Sequence, residues 1–132
     1  MDSRPIVLVV EDEPLIGLSV QDGLEEAGYD VRLMTDAVKA LHELESAAEV
    51  LSAVVTDIRL QDDKDGWQVA RRARELNPLL PVVYMSGDSA VDHTSQGVPQ
   101  SIMVQKPFAP AQIVTAVSTL INKLPPAPLV AP

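Results

Sequence analysis

Carboxylates, a hydroxyl group and a lysine follow four short apolar segments of this chain. The segments end on Glu11-Asp12-Glu13, on Asp57, on Ser86-Gly87 and on Lys106-Pro107. Three carboxylates that lie close together repel one another unless a cation joins them, and an all-oxygen set of ligands suits Mg²⁺. A metal ion, a lysine and a hydroxyl group are together what the oxygens of a moving phosphoryl group need. Asp57 is then a candidate nucleophile, because a carboxylate can form an aspartyl phosphate.

The elements that must position these residues alternate between strands and helices. Short runs of apolar residues predict strands at 5–10, 29–34, 53–56, 81–85 and 102–105. Apolar residues at helical spacing predict helices near 14–27, 36–48, 67–76 and 113–124, with a weaker, short and polar helix at 90–97. This order is typical of an α/β fold with a doubly wound five-stranded parallel sheet. The loops that follow its strands would meet at one edge of the sheet, where such folds bind ligands.

Local signals sharpen the predicted helix ends. Pro14 suits the first position of a helix, and Gly28 suits the position just after its end. Thr35 or Asp36 can cap the second helix. Its buried face is expected to consist of Ala37, Leu41, Leu44 and Ala48.

Composition restricts the possible classes of protein. The chain has 132 residues, of which 46% are hydrophobic, so we expect one folded domain and not a disordered chain. It has no cysteine, which excludes disulfides and thiolate zinc sites, and no apolar stretch near the roughly 20 residues that span a bilayer. The net charge of -9 argues against direct binding of nucleic acid. We expect a cytoplasmic domain over residues 1–124, without a membrane partner, followed by a proline-rich tail or linker at 125–132.

Four motifs stand in the order, and at the strand ends, that receiver domains of two-component response regulators show. They are Val-Val-Glu11-Asp12-Glu13, Thr-Asp57, Met-Ser86-Gly87 and Gln-Lys106-Pro107-Phe108. Over residues 5–123 the chain resembles a single-domain receiver of the chemotaxis type. The resemblance implies a flavodoxin-like (βα)5 fold with the strand order 2-1-3-4-5. It also implies a regulatory phosphoacceptor, not a turnover enzyme, whose Asp57 takes a phosphoryl group from a histidine kinase or a histidine phosphotransfer protein with Mg²⁺.

The same resemblance implies which residues hold the metal ion. Asp12 and Asp57 are expected to ligate Mg²⁺ directly, and Glu11 is expected to help through a water molecule. The backbone carbonyl of Arg59 would be the third protein ligand.

The resemblance also implies which residues respond to the phosphoryl group. Lys106 is expected to pair with the phosphoryl oxygens, Ser86 is expected to bond them, and the peptide bond from Lys106 to Pro107 is expected to be cis. The response would reach what we call the output face, which consists of the weak helix at 90–97, the fifth strand and the last helix. That face would bind an unknown protein target, or the domain would act as a phosphate sink. Met103 stands where the family commonly has an aromatic switch residue, so its part in the switch is open.

Other features depart from the family pattern or have ordinary interpretations. Gln61 stands where the family commonly has a proline, and Arg59 and Asp88 flank the site, where a pair between them would slow the approach of water. Taken singly, each motif also fits an ordinary turn or a surface residue. Lastly, we expect packing roles for Trp67 and Phe108 and exposed positions without matched partners for His42 and His93.

Three alternative functions are open at this point. A haloacid-dehalogenase-type phosphohydrolase also uses an aspartate after a parallel strand, but it needs a second aspartate two residues later, where this chain has Arg59. A flavodoxin-like cofactor binder would need aromatic residues for stacking and a phosphate loop without three acids, and aromatics make up only 3% of the chain. A pseudo-receiver that only binds a partner has no feature of the sequence in its favour.

Overall fold

Five parallel strands form the central sheet of the computed structural model, which describes residues 4–61, 64–87 and 93–124. The strands are β1 (Ile6–Val10), β2 (Asp30–Met34), β3 (Leu51–Asp57), β4 (Val82–Ser86) and β5 (Ile102–Gln105). They lie side by side in the order β2-β1-β3-β4-β5. The predicted doubly wound parallel sheet and its strand order are therefore confirmed.

Helices follow the strands and cover both faces of the sheet. They are α1 (Pro14–Glu26), α2 (Ala37–Ala47), α3 (Gly66–Leu76), α4 (His93–Gln96) and α5 (Pro110–Asn122). Val7 and Val9 of β1 pack in a cluster with residues of α1 and α5, whereas Leu8 and Val10 pack with residues of α2 and α3. Since both faces of β1 are buried, its apolar run is continuous and does not alternate with polar residues.

Capping residues fix several of the helix ends. Pro14 is the first residue of α1, and Gly28 follows that helix with a φ of +104°, a conformation that favours glycine. Asp36 caps α2, because its side chain accepts a hydrogen bond at 2.7 Å from the backbone N–H three residues later. Asp65 and Gln68 form a reciprocal capping box at the start of α3.

The buried face of α2 differs from the predicted one. The helix residues that it buries are Ala37, Ala40, Leu44 and Ala47, and Ala48 just after the helix is buried too. Leu41 is only partly buried, so the prediction overlooked Ala40 and overstated Leu41. Apolar spacing alone does not reveal that the small side chains of Ala40 and Ala47 take buried positions on this helix.

The prediction for His93 was wrong, whereas those for Trp67 and Phe108 are confirmed. His93 is partly buried, and its Nε2 lies 2.8 Å from the hydroxyl oxygen of Ser101. Trp67 is buried, and Phe108 packs against the cluster that α1 and α5 share.

Several expectations concern residues beyond the described ones. Of the weak helix predicted at 90–97, the described part is α4, while residues 90–92, Asp88 and the tail at 125–132 lie outside the described residues. Among the helices of residues 4–61, 64–87 and 93–124, none combines the length and the apolar character that a membrane span requires.

Candidate functional site

The carboxyl ends of β1, β3, β4 and β5 bring the predicted residues to one edge of the sheet. They border a cleft of about 390 Å³ that is lined by Asp12, Glu13, Asp57, Arg59, Gln61, Ser86, Gly87 and Lys106. Parallel pairing places Asp57 beside Met85 and Ser86 beside Gln105, so the strand ends are level with one another. The sequence order of the four motifs has therefore become a spatial cluster.

Three carboxylates converge at this edge. Glu11, Asp12 and Asp57 each offer a carboxylate oxygen, and these oxygens lie within 4.8 Å of one another. Glu11 is completely buried and Asp57 is 5% exposed, whereas Asp12 is partly exposed at the rim. Negative charges held this close, and partly out of water, need cations nearby.

Lys106 supplies one of those cations. Its Nζ lies 3.0 Å from Oδ2 of Asp57, to which it donates a hydrogen bond, and 3.0 Å from Oε1 of Glu11. The contact with Glu11 is an ion pair of the same length, so one ammonium is shared by two buried carboxylates. Burial alone would lower the pKa of the Lys106 ammonium, but the adjacent carboxylates of Asp57 and Glu11 hold that pKa above its usual value.

The pKa of the Glu11 carboxyl is raised well above its ordinary value. Burial raises its pKa to about 7, and the negative charge of Asp57 acts in the same direction. The backbone N–H of Glu13, which donates to Glu11 Oε2 at 3.1 Å, and the ammonium of Lys106 act in the opposite direction. The carboxyl of Glu11 therefore changes its charge near neutral pH when no metal ion is present.

Backbone hydrogen bonds set the relative positions of the strand ends. The backbone N–H of Lys106 donates to the carbonyl of Ser86 at 2.7 Å, which joins the ends of β4 and β5. The backbone N–H of Ile58 donates to the carbonyl of Met85 at 3.2 Å, which joins the ends of β3 and β4. The peptide bond from Lys106 to Pro107 is cis.

Gly66 supports the site in a way that sequence reasoning missed. Its backbone N–H donates to the carbonyl of Ile58 at 2.8 Å, so the first residue of α3 lies directly against the end of β3. A Cβ at this position would overlap the carbonyl oxygen of Asp57 and lie 2.8 Å from Cα of Ile58. The sequence around Gly66 does not indicate this contact, and only the neighbours of Gly66 in space show why it lacks a side chain.

Among the predicted residues that the structure describes, Glu11, Met103 and Pro107 do not line the cleft, although Glu11 lies within the carboxylate cluster beside it. Met103 lies on β5 and packs with the cluster around Tyr84 and Val98, below the strand ends. Asp88 is outside the described residues, so a pair between it and Arg59 stays a prediction. A carboxylate cluster, a lysine and a hydroxyl group do meet at the cleft, as the pattern of strand ends predicted.

Comparisons with known proteins identify the family. Residues 7–118 match the family described as the response regulator receiver domain. The chain belongs to this family, the receiver domains of two-component response regulators. It is similar to a response regulator receiver protein from Sinorhizobium medicae, with 44% sequence identity and a TM-score of 0.88 over 92% of this chain and 97% of that chain.

Curated relatives and a more distant structure agree with this assignment. The transcriptional activator protein IrlR of Burkholderia pseudomallei is 30% identical over 119 residues, which are 89% of this chain and 50% of that protein. The transcriptional regulatory protein CusR of Escherichia coli is 29% identical over 119 residues, 89% of this chain and 51% of that protein. This chain spans about half the length of the curated relatives it matches. The receiver domain of a sensor histidine kinase from Pseudomonas aeruginosa, 21% identical with a TM-score of 0.78 over 92% of this chain and 100% of that chain, has the same fold and holds a magnesium ion in its active-site cleft.

Proposed function

We propose that Asp57 of this receiver domain accepts a phosphoryl group from the phosphohistidine of a histidine kinase or a histidine phosphotransfer protein. The observation that carries the proposal is the setting of its carboxylate, which lies in the acidic cluster, 3.0 Å from the ammonium of Lys106, and borders the cleft. A carboxylate that is held next to a fixed cation and open to a cleft is suited to attack phosphorus in line with the leaving group.

The transfer exchanges one bond for another. A bond forms between phosphorus and an oxygen of Asp57 while the bond between phosphorus and the donor's imidazole nitrogen breaks, and the electron pair of that bond stays with the imidazole. Lys106 would then face the phosphoryl oxygens with its three N–H donors, and the hydroxyl of Ser86 would donate to them as well. The 2.7 Å backbone bond between these two residues keeps the two donors together.

The residues at the cleft fit Mg²⁺. The side-chain atoms that could ligate a metal ion are all carboxylate oxygens, three of which lie within 4.8 Å of one another, and a hydrated cation would offset their mutual repulsion. Asp12, Asp57 and the backbone carbonyl of Arg59 would hold the ion, with Glu11 beside it. When bound, Mg²⁺ would neutralise charge on the phosphoryl oxygens. The magnesium ion in the cleft of the Pseudomonas relative supports this assignment.

We propose further that phosphorylation changes the output face, now defined by α4, β5 and α5. A groove of about 520 Å³ runs along β5 and α5 and includes Met103, Gln105 and Gln112 in its lining, which gives a protein target a surface to recognise. The domain would act by binding that target or by drawing phosphate from a kinase. Its cysteine-free composition supports a location in the cytoplasm. Arg59, two residues after Asp57, leaves the chain without the second aspartate that a phosphohydrolase of the haloacid-dehalogenase type would use.

The test is phosphorylation by a small-molecule donor. The protein is incubated with Mg²⁺ and acetyl phosphate, and its intact mass is recorded. We expect the mass of one added phosphoryl group in the wild type, and none in Asp57→Asn or in a sample treated with a chelator. Asp22→Asn, which removes the same charge from the exposed surface of α1, serves as the matched control and should gain the phosphoryl group.

Two outcomes would contradict the proposal. An added phosphoryl group that persists in Asp57→Asn would mean that another residue is the acceptor. If neither acetyl phosphate nor a panel of phosphorylated histidine phosphotransfer proteins added mass, the domain would be a pseudo-receiver that acts by binding alone.

A further inference from the structure

Tyr84 is a fully buried residue two positions before Ser86 on β4. Since side chains alternate along a strand, Tyr84 and Ser86 point to the same face of the sheet. The ring centroid of Tyr84 lies 4.7 Å from that of Trp67 and 5.6 Å from that of His93. Its hydroxyl oxygen accepts a hydrogen bond at 3.0 Å from the backbone N–H of Val98, so the side chain ties β4 to the segment after α4.

That segment, residues 97–101, is held at further points. The hydroxyl of Ser101 donates to the carbonyl of Val98 at 2.6 Å, and His93 Nε2 lies 2.8 Å from the same hydroxyl oxygen. Nη1 of Arg74 donates to the carbonyl of Pro99 at 2.5 Å. The segment is therefore a bonded unit that connects α4 to β5 and that meets the sheet through the Tyr84 hydroxyl.

Met103 is the neighbour of Tyr84 on the adjacent strand. The two residues are paired in the register of β4 and β5, and both belong to the cluster that contains Trp67 and Val98. Met103 offers a flexible thioether that accommodates its surroundings, whereas Tyr84 makes a directional hydrogen bond. Of these two cross-strand neighbours, Tyr84 is the one that can transmit a displacement of β4.

We propose that Tyr84 is the positioning residue through which a change at Ser86 reaches α4 and β5. The inference rests on the proposed function, because it concerns the response of the fold to phosphorylation of Asp57. A movement of Ser86 toward a phosphoryl group displaces the end of β4, and the tightly packed ring of Tyr84 moves with its strand because a close-packed core transmits small shifts. The hydroxyl then changes its position relative to the Val98 N–H, and the bonded unit shifts with it.

The two tyrosines of the chain allow a direct test without any substitution in the sample that carries the result. Tyr29 is also buried, but it packs on the other face of the sheet, and its hydroxyl lies 2.8 Å from the hydroxyl oxygen of Ser118. Protein labelled with 3-fluorotyrosine should show two ¹⁹F resonances, which Tyr29→Phe and Tyr84→Phe assign. On phosphorylation with acetyl phosphate and Mg²⁺, we expect the Tyr84 resonance to shift and the Tyr29 resonance to stay in place.

A second measurement separates transmission from simple support of the fold. Tyr84→Phe keeps the ring and removes only the hydroxyl oxygen that Val98 uses. We expect this variant to be phosphorylated to the same stoichiometry as the wild type, while the phosphorylation-induced shifts of the backbone amides of Val98 and of β5 fall at least fivefold. Tyr29→Phe, which removes a comparable buried hydroxyl bond, and Met103→Leu should retain those shifts.

The outcomes distinguish this inference from the proposed function. If the intact mass shows full phosphorylation but the Tyr84 resonance does not move, the inference is overturned and the proposed function stands. Wild-type amide shifts in Tyr84→Phe, or their loss in Met103→Leu alone, would also overturn it. If no donor adds a phosphoryl group, the proposed function fails and the inference fails with it.

Discussion

Replacing Glu11 by glutamine should remove a pH dependence from the stability of the metal-free protein. Burial, together with the charge of Asp57, raises the pKa of Glu11 to about 7 in the folded protein, from an ordinary value of 4.5 that we assign to the unfolded chain. The folded state then binds the proton more tightly, so the free energy of unfolding falls as the pH rises from 4.5 to about 7. At about 1.36 kcal/mol for each pH unit, the complete loss is about 3 kcal/mol.

Urea unfolding in the presence of a chelator measures this effect. Between about pH 5 and about pH 8, the wild type should lose about 2–3 kcal/mol relative to Glu11→Gln. Glutamine cannot offer an oxygen both to the Glu13 N–H and toward Lys106, so the substitution also carries a cost, but that cost is independent of pH. The readout is therefore how the stability difference between the wild type and Glu11→Gln changes with pH. Glu26→Gln, at the exposed end of α1, is the control for loss of a charge. A difference between wild type and Glu11→Gln that stays constant to within about 0.5 kcal/mol over this range would refute the reasoning.

Three further substitutions test the site and the elements that support it. Lys106→Met leaves two buried carboxylates without their shared cation. We therefore expect the free energy of unfolding, measured in urea at about pH 8, to fall by about 3 kcal/mol. An unchanged free energy would mean that the two ion pairs do not contribute to stability. Gly66→Ala directs a Cβ at the carbonyl oxygen of Asp57. We expect the free energy of unfolding to fall by about 3 kcal/mol and phosphorylation by acetyl phosphate to become slower. Wild-type values of both quantities would show that α3 can move away from β3 at little cost. Asp65→Ala should cost about 1 kcal/mol in the same urea assay because it removes the cap of α3, whereas Asp65→Asn should retain most of the stability; equal losses in both would argue against the cap.

The ends of the strands were predictable because they follow from the pattern of apolar and polar residues along the chain. A strand covered on both faces must be apolar along its whole length, so β1 appears in the sequence as an uninterrupted run that stops at Glu11. Parallel strands with intervening helices must then bring their carboxyl ends to one edge. The clustering of Glu11, Asp57 and Lys106 follows from these two rules, without knowledge of any side-chain contact.

The parts that could not be predicted depend on which elements touch. Gly66 lacks a side chain because α3 passes the backbone of Asp57, and no spacing within α3 encodes that approach. Tyr84 looked like one more apolar residue of β4, although its hydroxyl accepts a bond from an amide fourteen residues later. His93 seemed to have no partner because Ser101 lies across the end of α4 and becomes its neighbour only after folding. In each case the determining contact joins two elements whose relative placement the sequence pattern leaves open.

The charges at the cleft connect its stability to its proposed chemistry. The ammonium of Lys106 lies 3.0 Å from each of two carboxylates, and the other described cation that borders the cleft is Arg59. Two cations face the four acids Glu11, Asp12, Glu13 and Asp57, which leaves a deficit of positive charge. In the metal-free protein, burial and then the charge of Asp57 raise the pKa of Glu11 to about 7, so a proton on Glu11 meets part of this deficit near neutral pH. A divalent cation meets the same deficit, so proton and cation compete for the cluster. The burial that destabilises an ionised Glu11 is thus the property that favours binding of a metal ion at this site. Glu11→Gln removes one of the negative charges that a metal ion would neutralise, so this substitution should weaken the binding of Mg²⁺.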